Sequence, residues 1–178
     1  MKIVFVRHGE SEGNVRHEIN DDPARIVNLT EKGRAQAGAA GEALRSRRFT
    51  HAYASEFPRA RQTAEIILRH QACALRIDFR INERRSGMDG LPVHMFNDQA
   101  RADWLRFKPP RGESFLEQME RVRSFLDEVH ARTPEGLVLA VSHQDPILAA
   151  LALASDQPEI IAAGELANCE WRELTWPC

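Results

Sequence analysis

The tripeptide Arg7-His8-Gly9 follows directly on a short apolar run, Ile3-Val4-Phe5-Val6, and it joins three kinds of group that phosphoryl chemistry requires. Transfer of a phosphoryl group depends on positive charge around its equatorial oxygens and on a nucleophile in line with the leaving oxygen. Arg7 offers a planar fork for two oxygens, His8 an imidazole nitrogen able to attack phosphorus, and Gly9 room for close backbone approach. Alone, the tripeptide is equally compatible with a solvated turn. A second apolar run, Leu137-Val138-Leu139-Ala140-Val141, ends just as abruptly at Ser142-His143. Two histidines therefore stand at the ends of two candidate strands.

The elements that must position these residues follow from the surrounding pattern. Apolar runs of this kind read as central strands covered on both faces. Thr30 is placed to cap a helix reaching residue 47, with Ala37, Ala40 and Leu44 on one face. Pro58 suits the first turn of a helix to about residue 70, with Ala60, Ala64, Ile67 and Leu68 inward. Ser114 and Glu117 form a capping box before an apolar stripe of Phe115, Met119, Val122, Leu126 and Val129. A last, largely buried helix is expected from Asp145-Pro146 to residue 153. Shorter strands are expected at 51–55, 74–79 and 169–175. Strands alternating with helices predict a three-layer α/β/α sandwich with a largely parallel central sheet. In such sheets ligands bind beyond the carboxyl ends of the strands, where His8 and His143 fall.

Residues 82–112 differ in character, mixing Gly87, Gly90, Pro92, Pro109 and Pro110 with many charges and no sustained period. So long a connection in one domain reads as a lid or substrate-specificity segment, with a short helix at about 96–107. Neither repeats nor a linker divide the chain, so residues 1–178 are expected to form one domain.

Composition narrows the function. The 24 Lys and Arg against 26 Asp and Glu leave a net charge of −2, so no global basic field recruits nucleic acid or a membrane surface. Lysine occurs only at positions 2, 32 and 108, and the abundant arginines suit bidentate phosphate contacts. Cys73, Cys169 and Cys178 are too few and too scattered for a disulfide framework, which fits a reducing compartment. The apolar run after Lys2 is too short for a signal peptide or a membrane span, so a cytoplasmic location is expected. His17, His51, His70, His94 and His130 show no metal-binding spacing, and no Gly-rich Lys-containing loop for nucleotide phosphates occurs. Neither a metal nor another cofactor is expected, and the expected partner is a small phosphorylated substrate.

Four segments appear in order: Met1-Lys-Ile-Val-Phe-Val-Arg-His-Gly-Glu-Ser-Glu-Gly-Asn14; Asn28-Leu-Thr-Glu-Lys-Gly33 with Gln36-Ala37; Ser55-Glu-Phe-Pro-Arg-Ala-Arg-Gln-Thr63; and Val141-Ser-His143. In residues and order they resemble the histidine phosphatase superfamily, also called the phosphoglycerate mutase-like proteins. The resemblance implies that His8 becomes a phosphohistidine, that Arg7, Arg59 and His143 hold the phosphoryl oxygens, and that Asn14 assists. An alkoxide leaving at neutral pH needs a proton donor, and Glu83 falls on the family's acid position. An imidazolium at His143 is expected to stabilise the transferring group.

The chain also departs from the family pattern. Asp89 stands where glutamate is usual and reads as a turn-forming Asp-Gly. Gln144 replaces the glycine after the second histidine, which narrows the pocket or adds an amide contact to the phosphate. Asp145 reads as a helix cap before Pro146, and Glu113 has no assigned role. Arg80, Arg84, Arg85, Arg101, Arg106 and Arg111 border the lid and suit either solvent or a second anionic group. The resulting expectation is a metal-independent phosphomonoesterase working through phospho-His8. The rivals are a mutase returning the phosphoryl group to another hydroxyl, and a non-catalytic binder of phosphorylated ligands.

Overall fold

The computed structural model describes residues 1–155 and 164–177; Cys178 lies outside them, and Cys73 and Cys169 are free thiols. Five strands form one sheet in the order β3-β2-β4-β1-β5, where β1 is Lys2–Arg7, β2 His51–Ala54, β3 Leu75–Ile77, β4 Leu137–Ser142 and β5 Trp171–Thr175. The first four are parallel, and β5 runs antiparallel to β1. Side chains alternate across a strand, so β1 sends Ile3 and Phe5 to one face and Val4 and Val6 to the other. The first face is covered by helices α5 (Phe115–Arg132) and α6 (Gln144–Leu153), the second by α2 (Glu31–Ala43) and α3 (Pro58–Ile67). This is the three-layer α/β/α sandwich that the apolar runs predict.

Register decides what happens at the strand ends. Arg7 on β1 is paired with Ser142 on β4, so both central strands stop at the same level. His8 and His143 are consequently neighbours, with ring centroids 5.0 Å apart. Two backbone hydrogen bonds fix the junction, from His8 N to the Ser142 carbonyl at 2.9 Å and from Cys169 N to the Arg7 carbonyl at 3.0 Å.

Several boundaries differ from expectation. Helix α2 ends at Ala43, short of residue 47, because the chain turns there and brings Phe49 into the core ahead of β2. The last turn of the helix from Pro58 is a 3-10 turn at Leu68–His70. Within residues 82–112 the helix is α4, Val93–Ala100, starting earlier than expected, because Pro92 occupies its N-cap; Trp104 and Phe107 then fold back edge-on to Phe96. A short helix α1, Glu12–Arg16, was not anticipated; it carries a capping box between Ser11 and Asn14. Among the described residues no helix is long and apolar enough to cross a membrane.

Candidate active site

Beyond the carboxyl ends of the strands lies a cavity of about 560 Å³. All seven residues proposed from sequence are at or beside it: Arg7, His8, Asn14, Arg59, Glu83 and Gln144 line it, and His143 is fully buried against His8. His8 Nδ1 lies 2.7 Å from the Gly9 carbonyl. A carbonyl only accepts, so Nδ1 carries the proton and Nε2 keeps its lone pair. Burial, with Arg59 and Arg7 nearby, holds the His8 pKa well below the ordinary value, and the ring is neutral.

Arg59 ties the two histidines together. Its Nε donates to His8 Nε2 at 3.1 Å and its NH2 to His143 Nδ1 at 3.1 Å. It is second in α3, just beyond the end of β2, and its guanidinium rests 4.4 Å above the Phe57 ring. The remaining N–H groups reach Asn20, to Oδ1 through NH1 and to the carbonyl at 3.1 Å through NH2. Asn20 in turn donates to Asp89 at 3.3 Å, and Asp89 also accepts from the backbone of Asp21 and Asp22 and from Arg25. Asp89 is thus more than a turn residue: it clamps the loop that orients Arg59.

His143 is neutral in this pocket, contrary to the imidazolium expected of it. Burial and the charges of Arg59 and Arg7 push its pKa well down. Its Nδ1 accepts from Arg59, so its proton sits on Nε2, donated to Ser55 Oγ at 2.7 Å. Arg7 donates through NH1 to the Leu166 carbonyl and, at 3.4 Å, to Gln144 Oε1, while its buried Nε has no partner among the described residues. Gln144 Oε1 also accepts from Leu166 N at 3.2 Å, so this amide ties Arg7 to the segment after α6. Asn14 Oδ1 accepts from Ser11 N at 3.0 Å in the cap of α1, which leaves Nδ2 to donate.

Glycine at position 9 answers a protein contact. A Cβ there would sit 2.4 Å from the Gly33 carbonyl oxygen, so the loop after β1 can lie on the first turn of α2 only if both residues are glycine. That loop is further held by Gly9 N donating to Thr63 Oγ1 at 3.1 Å.

Glu83 comes from the lid side. Its Oε1 accepts from Arg84 N at 3.0 Å and its Oε2 stands 3.9 Å from His143 Nδ1. The side chain keeps 26% of its surface, open to the cavity, and burial raises its pKa against the pull of Arg59 and Arg7. A raised carboxyl pKa is what a proton donor near neutrality needs. The segment is braced from three sides. Ser142 Oγ donates to the Ile81 carbonyl at 2.7 Å, and Asn82 exchanges hydrogen bonds with Glu56. Arg121 of α5 donates to the carbonyls of Arg80 at 2.6 Å and Glu83 at 3.2 Å.

Arg121 is itself fixed by a two-pronged ion pair with Glu113, whose side chain is 3% exposed. Glu113, left without a role from sequence, therefore anchors the Glu83 segment. Asp145 is a correction: the N-cap of α6 is His143, and Asp145 lies inside the first turn, buried and lining the cavity. Asn20 and Arg121 were not singled out from sequence, and Ser55 and Thr63 appeared only as the two ends of one quoted segment, without a role.

The family model described as "Histidine phosphatase superfamily (branch 1)" matches residues 3–177. The probable phosphoglycerate mutase GpmB of Erwinia tasmaniensis is 32% identical over 151 residues, covering 80% of this chain and 69% of that protein. The fructose-2,6-bisphosphatase TIGAR B of Danio rerio is 32% identical over 163 residues, covering 84% of this chain and 63% of that protein. A mycobacterial glucosyl-3-phosphoglycerate phosphatase, solved with VO3, superimposes with a TM-score of 0.86 at 28% identity, over 98% of this chain and 90% of that one. The chain belongs to the histidine phosphatase superfamily, branch 1.

Proposed function

We propose that this chain is a phosphatase that hydrolyses phosphomonoesters through a phosphohistidine on His8, without a metal. The observation that carries the reading is the neutral His8, its Nε2 lone pair held toward Arg59 by the bond between Nδ1–H and the Gly9 carbonyl. The phosphoryl oxygens take over the N–H groups that Arg59 now gives to the two histidines, together with the unpartnered Nε of Arg7. Fixed donors of this kind stabilise charge on the transferring group without reorganisation. His8 Nε2 then bonds to phosphorus as the bond to the leaving oxygen breaks, and Glu83 delivers the proton to that oxygen. Ionised Glu83 next takes a proton from water, which attacks the phosphohistidine and releases phosphate and free His8. His143, neutral while its Nδ1 accepts from Arg59, becomes a donor to the phosphoryl group by taking up on Nδ1 a proton from the substrate's phosphate monoanion or from solvent.

Metal independence is supported by two arginines being in place to meet the phosphoryl charge. Among the described residues no three His, Cys, Asp or Glu side chains cluster to hold a metal ion. Residues 82–112 serve as the substrate-specificity segment, since Glu83, Arg84, Ser86, Phe96 and Trp104 all line the cavity.

The test is trapping with a radiolabelled phosphomonoester after rapid acid-free denaturation. Wild type is expected to carry acid-labile label, to release phosphate equally well in EDTA, and to be inhibited by vanadate. His8→Ala is expected to lose label and turnover together. Residual turnover in pure His8→Ala, or EDTA inactivation reversed by a divalent ion, would overturn the mechanism. Conversion of 3-phosphoglycerate to 2-phosphoglycerate in place of hydrolysis would make the chain a mutase.

A further inference from the structure

Asp145 is a buried carboxyl with no visible task in the fold. It is the second residue of α6, two positions after His143, and is 9% exposed. It lines the cavity, yet among the described residues its carboxyl accepts no hydrogen bond and enters no ion pair. Isolated burial of this kind is unfavourable unless something comes to meet the group. The cap of α6 does not use it, and its neighbour Glu83 already supplies the acid.

The cavity around it indicates what would meet it. Arg84 faces the same space, but its Nε and NH2 are committed to the carbonyls of Glu113 at 3.2 Å and Phe107 at 2.7 Å. Its guanidinium is also packed 4.9 Å from the Phe96 ring centroid and 5.1 Å from that of Trp104. Arg84 therefore stiffens the wall through Nε and NH2, while its buried NH1 has no partner among the described residues. Asp98 and Arg101 bring both signs of charge to the wall, Glu18 is paired with Arg16 and Arg25, and Phe96 and Trp104 supply apolar surface. At Asp145 itself a hydrogen-bond donor would satisfy the carboxyl.

Building on the phosphatase reading above, we propose that Asp145 reads the leaving group. Its carboxyl accepts a hydrogen bond from a hydroxyl or ammonium on the departing alcohol, and the substrate is a phosphomonoester of such a donor-bearing alcohol. Asp145 is in this role a specificity-determining residue, separate from the phosphoryl-holding set of Arg7, Arg59 and His143.

The experiment compares kcat/KM for ethyl phosphate, which has no donor, with glycerol 3-phosphate and O-phosphoethanolamine, which carry a hydroxyl and an ammonium. Wild type is expected to favour one of the two donor substrates over ethyl phosphate by about 10- to 100-fold, the usual worth of a hydrogen bond to a charged group. Asp145→Ala is expected to bring that ratio close to one. Asp145→Asn keeps an acceptor oxygen but loses the charge, so it retains most of a hydroxyl preference and abolishes an ammonium preference, which tells the two donors apart. A merely structural role would slow every substrate in proportion and leave the ratios unchanged in both variants, which overturns the proposal. So does a wild type that shows no donor preference, and these wild-type ratios decide the matter even where Asp145→Ala fails to fold. Phosphate release from none of the three would instead count against the phosphatase reading itself.

Discussion

The floor of the cavity and its lid wall are built in opposite ways. On the floor, Arg7, His8 and His143 sit at the ends of β1 and β4, and Arg59 opens α3, so regular elements carry each group to its place. On the lid wall, Glu83 and Arg84 lie in irregular backbone, held by side chains that reach across from α5 and from neighbouring loops. On the proposed mechanism the floor holds the phosphoryl group, which is common to every phosphomonoester, and the wall meets the leaving group, which differs from one substrate to the next. Chemistry common to all substrates thus rests on the sheet, and the variable part on segments that tolerate change.

This contrast is broken most forcefully at Glu83, the wall residue given a share in the chemistry. Glu83→Gln is expected to slow alkyl phosphates by about 10²- to 10⁴-fold. An aryl phosphate leaves as a stable phenolate and needs little protonation, so its first step should suffer far less. Hydrolysis of phospho-His8 still needs the base, and the aryl substrate should therefore give a burst of nitrophenolate followed by slow turnover. Rapid-quench kinetics would show both phases. Equal slowing of the first step for both substrates, without a burst, would remove Glu83 from the acid role.

The same division explains what could be read from the residues in order. Apolar runs, caps and the histidines that end them are local signals, so the sandwich and Arg7, His8 and His143 were legible, whereas Arg59 was named only through the resemblance of the segment from Ser55 to Thr63. The capping box at Ser114 was found for the same reason. Arg121 was not, because on α5 it looks like any solvated arginine, and its meaning lies in carbonyls about 40 positions away. Asp145 was misread because Asp-Pro is a common helix start; the extended backbone of His143 makes that residue the cap and leaves Asp145 inside the first turn, lining the cavity. Asn20 sits in a polar loop without any pattern, and becomes visible only as the acceptor under Arg59.

If α5 positions the wall through side chains, cutting that connection should disturb the wall and spare the floor. Arg121→Met leaves Glu113 buried without its two-pronged partner, and loss of one member of a buried pair costs about 3–5 kcal/mol. Arg85, 3.6 Å from Glu113, offsets part of this, so the low end is expected by denaturant unfolding. Turnover of alkyl phosphates should fall more than that of aryl phosphates, because the segment carrying Glu83 is loosened while His8 and Arg59 are not. Removing the orphaned charge as well, in Arg121→Met with Glu113→Gln, should recover stability but not the alkyl rate. Equal loss on both substrate types would show that the floor also depends on this brace.

The smallest effect is expected at Asp145 and has the opposite sign, since a group kept for binding is a cost to the empty protein. In the unfolded chain this carboxyl ionises near its ordinary 3.8, whereas burial and the neighbouring Glu83 raise it to about 7 in the folded protein. Between those values the folded state retains a proton that the unfolded state has released. Ionisation therefore favours unfolding, increasingly so as pH rises through the window, and the penalty levels off above the folded value. Asp145→Asn abolishes this titration while keeping the shape of the side chain. It should be more stable than wild type by on the order of 1–3 kcal/mol at pH 8, with the gain shrinking to nothing near pH 3.5. His8 and His143, held neutral by burial, weaken both proteins alike as pH falls below 6.5, so the difference between the two unfolding curves isolates Asp145. A gain that stays constant across pH would mean that the carboxyl already has a partner in the folded protein, and the wall would then be as fully satisfied as the floor.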